Sequence, residues 1–325
     1  RVVASYFNPV WEPVLRFGER FGLKMAQDHQ NWLAEDDVKN LFELCGFEVV
    51  KSGRRLLLPR HIPLISRVVN AVIANLPLVN RLCLINYTVA RPLAIRDTAD
   101  PVNGKLPSVS VIIPCRNERG NIRNSIDRVP EMGAFTEVVY VDGNSNDGTV
   151  EEIENVIAEQ GDSRRIRLIH QVPPGSEDGR GHGRMLKLGK GDAVRKGFAE
   201  AKGDVLMILD ADLTVMPEEL PRFYEALLSN RAEFINGTRL VYPMERDAMR
   251  TLNKIANKFF ALAFSWLLGQ RIKDTLCGTK VLYRRDYEEI ARGRAYFGEF
   301  DPFGDFDLLF GAAKLNLRIM DMPVH

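Results

Sequence analysis

Cysteine and long hydrophobic runs are scarce in this sequence, and each shortage excludes a class of protein. Only four cysteines occur in 325 residues, and they lie far apart, at Cys45, Cys83, Cys115 and Cys277. Such spacing fits neither a disulfide framework nor a zinc site, so it favours a reduced, intracellular protein. The longest uncharged run, Val68 to Asn80, is shorter than the roughly 20 residues that a membrane-spanning helix requires.

The sequence also lacks an excess of charge of one sign. Its 44 Lys and Arg residues nearly balance its 43 Asp and Glu residues, which gives a net charge of +1. Because no basic run forms a nucleic-acid-binding patch, we expect no nucleic-acid partner. A hydrophobic content of 45% with 27% charged residues is typical of a soluble globular protein. The chain is long enough to form two domains.

The two ends of the sequence indicate a segment of a longer protein. The chain begins at Arg1 without a secretory signal, and it ends at Met322–His325 within a predicted strand. Shifts in composition divide it into three parts, residues 1–60, 61–105 and 106–325. We expect the third part to be truncated at its C-terminus.

The first part is predicted to form a small α/β domain. AEDDVKNLFELCGFEVVKSGRRLLLP begins with acids that suit a helix N-terminus, and Gly46 ends that helix. Two strands, Phe47–Lys51 and Arg55–Leu58, are expected around Ser52-Gly53. This order resembles the last third of a class I methyltransferase, a family that uses S-adenosylmethionine, but the glycine-rich cofactor loop of that family is absent. An α/β appendage of another origin is the alternative.

Basic and apolar residues dominate the second part, residues 61–105. No acidic residue occurs from Val49 to Arg96, whereas eight positions in that stretch are Lys or Arg. A basic, apolar helix that is interrupted by Pro77 suits the surface of an anionic membrane. A linker helix packed on either neighbouring domain is the alternative.

Strands and helices alternate in the third part, residues 106–325. The apolar strands VSVIIP, EVVYVD and DVLMILD are separated by predicted helices. This pattern predicts an α/β fold in which a mainly parallel sheet is covered by helices on both faces. Ligands of such sheets bind at the carboxyl ends of the strands, which Pro114–Glu118, Asp142 and Asp210 follow here. We therefore predict a binding site at that edge.

A pair of acids directly follows one of these strands. Asp210-Ala211-Asp212 ends VLMILDAD, and carboxylates this close would repel each other unless a cation bridges them. Mg²⁺ and Mn²⁺ prefer oxygen ligands and often share them with substrate phosphates. The DXD motif therefore predicts a metal–diphosphate site at Asp210 and Asp212. The alternative is that Asp212 caps the helix that starts near Pro217.

The order of these motifs resembles that of the family 2 glycosyltransferases, enzymes of the GT-A fold that use nucleotide sugars. SVSVIIPCRNERGNI, VVYVDGNSNDGT and GKGDAVRKGFAEAKGDVLMILDAD match in sequence order. The resemblance implies an Mg²⁺ or Mn²⁺ cofactor and a UDP- or GDP-linked sugar donor. Gly143 and Asn144 depart from the family pattern, which has an acid and then a glycine there. The resemblance assigns donor binding to Pro114, Asn117, Glu118, Asp142, Lys190, Asp210 and Ala211.

Two later stretches are similar to the polyprenyl-phosphate sugar synthases within that family. FINGTRLVYP resembles their Gly-Ser-Arg strand, so Arg239 would bind phosphate. IKDTLCGTKVLYRRD resembles a segment that puts Asp274 near the acceptor, where Arg271 and Lys273 would add positive charge. A solvated arginine and an aspartate that caps the turn at Gly278 are the alternatives.

Together these motifs predict a metal-dependent, inverting glycosyltransferase whose acceptor is a polyprenyl phosphate. Asp212, Arg239 and Asp274 are its expected catalytic residues. We expect the enzyme to be cytoplasmic and peripheral at the cytoplasmic membrane. Two alternatives remain open: transfer to a saccharide hydroxyl, and a non-catalytic module that binds nucleotide sugar or tethers the chain to a membrane.

Overall fold

The chain divides into two compact units, residues 1–94 and 95–325. The structure is a computed structural model. It describes residues 1–22, 25, 32–93, 105–161, 163–172, 189–238, 264–265, 268–270, 272–274, 277–293 and 305–324. Within these residues, no helix is both long enough and apolar enough to cross a membrane.

The first unit contains a three-stranded antiparallel sheet in the order β1-β3-β2. Its strands are β1 (Val2–Phe7), β2 (Phe47–Arg55) and β3 (Ile85–Pro92). Its helices are α1 (Glu12–Arg20), α2 (Glu35–Leu44) and α3 (Ile65–Ala71), and short 3-10 turns follow α3.

One secondary-structure prediction for this unit is wrong, and another is incomplete. Ser52-Gly53 is not a turn between two strands but lies inside β2, because Gly53 packs against the Tyr87 ring of β3, where a β-carbon would overlap that ring. Residues 61–105, for which we predicted interfacial helices, also contain β3. Its residues include Tyr87, Thr88 and Val89, and aromatic and β-branched side chains favour strands.

The second unit is built on one sheet, whose strands within the described residues have the order β10-β8-β9-β7-β4-β5-β6. Every pairing is parallel except those of β9. The mainly parallel α/β sheet that we predicted is confirmed. The strands are β4 (Val109–Cys115), β5 (Thr136–Asp142), β6 (Arg165–His170), β7 (Val205–Ile208), β8 (Phe234–Thr238), β9 (Lys280–Tyr283) and β10 (Ile319–Pro323).

Helices cover both faces of this sheet. The helices of the second unit are α4 (Ile122–Arg128), α5 (Thr149–Gln160), α6 (Lys190–Glu200), α7 (Leu220–Leu228), α8 (Arg284–Arg292) and α9 (Asp305–Lys314). One buried cluster joins the sheet to α4, α5 and α7, and a second joins it to α6, α8 and α9. Successive strand residues point to opposite faces, so Val111 enters the first cluster and Ile112 enters the second.

The antiparallel direction of β9 brings its first residue to the edge at which the parallel strands end. Lys280 begins β9, whereas Asp142 and Thr238 end β5 and β8 at that same edge. The residues of the predicted site that follow β4, β5 and β7 therefore meet the residues that precede β9. We call this the carboxyl edge.

Candidate active site

The centre of the carboxyl edge is an ion pair between the acid after β7 and the first residue of α6. Lys190 Nζ lies 2.5 Å from Asp210 Oδ1, and both side chains are partly exposed. The apolar residues of β7 are fully buried, which fixes the position of Asp210 at the end of the strand. Two residues that we predicted to bind the donor are thus in direct contact.

Gly278 allows this ion pair to form beneath the segment that leads into β9. A β-carbon at Gly278 would overlap Asp210 Oδ2 and the Lys190 ammonium. Because no side chain fits there, this position has room only for glycine when the two charged groups hold their positions.

Asp212 lies in the turn that follows Asp210, and its side chain is exposed. The Asp212 carboxylate accepts a hydrogen bond from the Thr214 amide at 3.0 Å. The 3-10 turn at Pro217 has Met216 at its N-cap, so the alternative that Asp212 caps this element is wrong.

The Asp210–Asp212 turn provides suitable groups for a divalent cation. One of its carboxylates is exposed, the other contacts an ammonium that could exchange its partner, and hard cations prefer such oxygen ligands. Among the residues that the structure describes, no group of three or more His, Cys, Asp or Glu side chains is arranged to hold a metal. A cation here would therefore take its other ligands from a diphosphate and water, as Mg²⁺ commonly does.

Two neighbouring loops bring together the other predicted donor residues. Asp142, at the end of β5, is buried, and its carboxylate accepts hydrogen bonds from the amides of Asn144 and Ser145 at 3.0 and 3.2 Å. Asn117 has a positive φ of 58°, and its side-chain oxygen accepts from the Asn146 amide at 3.0 Å. Asp142 and Asn117 therefore shape the loops after β4 and β5 through backbone contacts.

The remaining donor residues complete this loop pair. The Glu118 amide donates to Thr149 Oγ1 at 2.9 Å, which ties the β4 loop to the start of α5, and Glu118 Oε2 accepts from Asn121 at 2.8 Å. Pro114 lies inside β4, and Ala211 is buried between the two acids of the DXD motif.

Burial raises the pKa of the neighbouring Cys115 thiol to about 12, so this thiol is protonated at neutral pH and is no nucleophile.

Sequence reasoning missed two polar residues at the end of β6. His170 Nδ1 lies 3.8 Å from Asp142 Oδ2. Gln171 donates to the Gly189 carbonyl at 3.0 Å and to Asp192 at 2.9 Å, which anchors the start of α6 and hence Lys190. The sequence contained a signal for these two residues, because the predicted strand RIRLIHQ ends in a histidine and a glutamine.

A second group of polar residues connects Asp274 with residues of β8 and β10. Asp274 is fully buried, and its carbonyl accepts from the Asn236 side-chain amide at 2.8 Å. The same amide donates to Asp321 at 2.7 Å, and the Lys273 backbone amide donates to Asp321 at 2.8 Å. Burial raises the pKa of Asp321 more than these hydrogen bonds lower it. Asp274 thus belongs to a buried polar cluster, which includes Asn236 and Asp321 that sequence reasoning missed.

Further buried polar atoms face this part of the carboxyl edge. Lys280 is fully buried opposite Asn236, and its ammonium donates to the Cys277 carbonyl. Asn236 Oδ1, Thr238 Oγ1 and Thr279 Oγ1 are buried and have no hydrogen-bond partner among the described residues. Buried polar atoms are normally hydrogen-bonded, so these three oxygens are able to accept a bond from a ligand or water. Arg239 and Arg271 lie outside the described residues.

The comparisons with known proteins agree with this geometry. The sequence profile described as glycosyl transferase family 2 matches residues 110–290, more than half of the chain. Dolichol-phosphate mannosyltransferase of Saccharomyces cerevisiae is 38% identical over 135 residues, which are 40% of this chain and 44% of that protein. Undecaprenyl-phosphate mannosyltransferase of Micrococcus luteus is 28% identical over 219 residues, 66% of this chain and 82% of that protein.

Other curated relatives are matched over part of their length only. Undecaprenyl-phosphate 4-deoxy-4-formamido-L-arabinose transferase of Aeromonas hydrophila is 29% identical over 56% of this chain and 51% of that protein. The chain thus spans about half the length of the first curated relatives that it matches.

Among solved structures, glucosyl-3-phosphoglycerate synthase of Mycobacterium tuberculosis in complex with Mn²⁺, UDP-glucose and phosphoglyceric acid has a TM-score of 0.49 and 20% identity. The match covers 67% of this chain and 70% of the chain of that structure.

The profile match extends from β4 into α8 and includes both loops after β4 and β5, the DXD turn and Gly278. The chain belongs to glycosyl transferase family 2 and is a glycosyltransferase.

Proposed function

We propose that this glycosyltransferase transfers a sugar from a UDP- or GDP-linked donor to a polyprenyl phosphate, with an Mg²⁺ or Mn²⁺ cofactor and inversion at the anomeric carbon. The observation that carries the proposal is the contact of Lys190 with Asp210 beneath Gly278. This contact puts an ammonium and a carboxylate where a diphosphate and its cation would share a site.

The donor half of the proposed site consists of the loops after β4 and β5 and the start of α6. Amide groups at a helix N-terminus favour an anion, and Lys190 is the first residue of α6. When the diphosphate binds, Lys190 exchanges Asp210 for a phosphate oxygen and releases that carboxylate. Pro114, Asn117, Glu118, Asp142 and Ala211 would line the nucleotide side of this half.

Asp210 and Asp212 would hold the divalent cation. A bound cation of this kind acts as a Lewis acid that neutralises the departing nucleoside diphosphate. The part that the chain itself supplies is the rigid DXD turn. Leu213 closes this turn with a bond from its amide to the Asp210 carbonyl at 3.0 Å.

The acceptor half would consist of the buried cluster around Asp274. A phosphate oxygen is already an anion at neutral pH, so its attack requires positioning and no general base. Arg239, which lies outside the described residues, and the exposed Lys273 would supply positive charge to this half, and the buried Lys280 would add to it. Asp274, fixed through Asn236, would orient the acceptor with them. The polyprenyl-phosphate acceptors in the names of the similar proteins support this choice.

A lipid-linked acceptor would bring the enzyme to the cytoplasmic face of the membrane as a peripheral protein. The resemblance of the first part to a class I methyltransferase belongs to this proposal as well. Residues 1–60 would then be a methyltransferase-like fragment joined to the glycosyltransferase unit.

Transfer of radiolabelled sugar tests the proposed acceptor. UDP- and GDP-linked sugars with Mn²⁺ or Mg²⁺ would first be ranked by the thermal shift that each causes. With the best donor, the protein would then be given undecaprenyl or dolichyl phosphate and, in separate reactions, soluble saccharides. We expect label in the lipid phosphate. Label in a saccharide with none in the lipid would refute the acceptor and would make Asp274 the candidate general base.

A further inference from the structure

Three leucines in the first unit, Leu56, Leu64 and Leu78, have a positive φ that leucine rarely adopts, and the side chains of Leu64 and Leu78 are exposed. Leu64 has φ 63° and ψ −47°, and Leu78 has φ 71° and ψ −50°. Each follows a proline, and each is the centre of a γ-turn, with bonds from Ile65 N to Pro63 O at 2.7 Å and from Val79 N to Pro77 O at 2.9 Å. A γ-turn with positive φ is rare and strained.

Folding does not explain these two leucines. Their side chains are 81% and 73% exposed, so neither contributes much to a core. Glycine adopts a positive φ without strain and would form the same turns. A strained residue that makes no packing contribution is the kind of outlier that points to a function.

The segment that contains both turns has its polarity reversed. Ser66 and Asn70 face inward and bond the backbone at Ile62 and Leu58. Asn80 does the same at Ala74 with a bond of 3.0 Å. Apolar side chains face outward instead. These exposed side chains are Leu64, Ile65, Val68, Val72, Leu76 and Leu78, and we call them the Pro–Leu surface.

The charged residues of the segment that carries the Pro–Leu surface are all positive. No acidic residue occurs from Val49 to Arg96. Arg60, Arg67 and Arg81 are exposed, and no described carboxylate forms an ion pair with any of them. By contrast, Arg54 pairs with Glu35 at 2.8 Å within the unit, so it adds little to the positive field.

We propose that the Pro–Leu surface docks the first unit on an anionic phospholipid membrane. Leu64 and Leu78 would enter the interface between headgroups and acyl chains, while Arg60, Arg67 and Arg81 would contact the headgroups. Exposed apolar groups among basic side chains suit an anionic lipid surface, which offers both an apolar interior and negative headgroups. They suit a neutral protein partner, or one with few acidic residues, less well. Only the purpose of this docking rests on the proposed function, because it would bring the enzyme to a lipid-linked acceptor.

Vesicle flotation of the full chain tests the docking. Vesicles of phosphatidylcholine alone are compared with vesicles that also contain phosphatidylglycerol. We expect binding to the anionic vesicles only. The double variant Leu64→Gly/Leu78→Gly should lose about tenfold or more of this binding, because it removes both inserted side chains. Its melting temperature should stay equal or rise, since glycine relieves the strained φ at both positions.

Leu41→Ala is the matched control, because Leu41 is an exposed leucine of the same unit that lies on α2, whose sequence EDDVKNLFEL contains four acids and one lysine. This variant should bind as the wild type does. Equal losses in the control and in the double variant would overturn the assignment, and so would wild-type binding by the double variant or no binding to anionic vesicles by the wild type.

The charge component has its own variant. Arg67→Gln/Arg81→Gln should weaken binding to anionic vesicles and leave the melting temperature unchanged, and undiminished binding would contradict the role of these arginines. Sugar transfer to polyprenyl phosphate in detergent micelles separates this inference from the proposed function. The leucine double variant should transfer sugar in micelles as the wild type does. Failure of the wild type to bind anionic vesicles would contradict the docking alone, whereas failure of the wild type to transfer sugar in micelles would contradict the proposed acceptor alone.

Discussion

At the scale of single residues, the proposed donor site depends on the lack of a side chain at one position. Gly278 leaves space for the Lys190–Asp210 ion pair, and any β-carbon there would overlap both charged groups. The addition of one methyl group at position 278 should therefore disturb the site. The burial pattern by itself indicates only that this loop is tightly packed.

Gly278→Ala should lower sugar transfer by about 100-fold, because displacement of a catalytic group by about 1 Å costs a factor of that order. Gly293→Ala is the control, since a β-carbon at Gly293 meets its neighbours only at ordinary contact distances of 3.5 and 3.7 Å. Initial rates at saturating donor measure both variants. Equal activity of Gly278→Ala and wild type would show that the ion pair has no part in the reaction.

Asp321 allows a prediction about pH. Its pKa in the folded state is raised above the ordinary 3.8 by burial, so the native state holds this proton more tightly than the unfolded state. The contribution of Asp321 to stability is therefore greatest below pH 3.8 and decreases as the pH rises through the folded-state pKa.

Asparagine does not titrate, so position 321 adds no pH dependence to the stability of the Asp321→Asn variant. The melting temperature of the wild type minus that of the variant should decrease as the pH is raised from about 4 to about 7. Thermal melts of both proteins across this range provide the measurement. A difference that stays constant or increases would mean that burial does not dominate the titration of Asp321.

At the scale of secondary-structure elements, the end of β6 fixes the start of α6. Gln171 bonds the Gly189 carbonyl and Asp192, and its own amide donates to the Asp142 carbonyl at 2.8 Å. Gln171 therefore links two elements: its backbone amide contacts the loop after β5, and its side chain contacts the start of the helix that bears Lys190. The position of Lys190 depends on this link between elements.

Gln171→Ala should raise the KM for the nucleotide sugar by roughly 3- to 10-fold, because loss of the link costs about 1–3 kcal/mol that is shared between stability and the position of Lys190. Gln160→Ala is the control, since the Gln160 side chain donates one exposed hydrogen bond, to Asp127 at 2.8 Å. Steady-state kinetics with a thermal melt of each variant separate the two effects. An unchanged KM with a lowered melting temperature would make Gln171 purely structural.

Elements were predictable from the sequence where local patterns determine them. The continuous apolar strands before Cys115, Asp142 and Asp210 and the acids that follow β5 and β7 indicated the parallel sheet and its binding edge. The Asn236–Asp321 pair was not predictable, because it depends on β10 lying beside β8, a pairing between residues 85 positions apart. Gly53 was misinterpreted as a turn because only the tertiary contact with Tyr87 explains it.

At the scale of the whole molecule, the chain joins a glycosyltransferase unit to a first unit that the family profile does not match. The glycine-rich loop that the methyltransferase resemblance would require is absent from the sequence. We therefore expect no specific binding of S-adenosylmethionine by this chain. Titration calorimetry measures it, and a specific, saturable heat would show that the methyltransferase interpretation of residues 1–60 needs a different cofactor site.

The DXD turn determines whether the second unit is an enzyme of the proposed kind. Asp212 is exposed, and its carboxylate accepts a hydrogen bond from the Thr214 amide, so its replacement by asparagine should leave the fold intact. An amide is a weaker ligand for a divalent cation than a carboxylate because it lacks the negative charge. The consequences of this change should therefore appear in the chemistry and not in the melting temperature.

The most direct measurement is sugar transfer by Asp212→Asn beside the wild type, each with Mn²⁺ and with EDTA. Asp36→Asn, at an exposed position on α2, is the control for loss of one carboxylate. We predict that Asp212→Asn and EDTA each reduce transfer by roughly 100-fold or more, while the control keeps its rate and all three proteins melt alike. Wild-type rates that survive both the substitution and EDTA would contradict a metal–diphosphate site at Asp210 and Asp212.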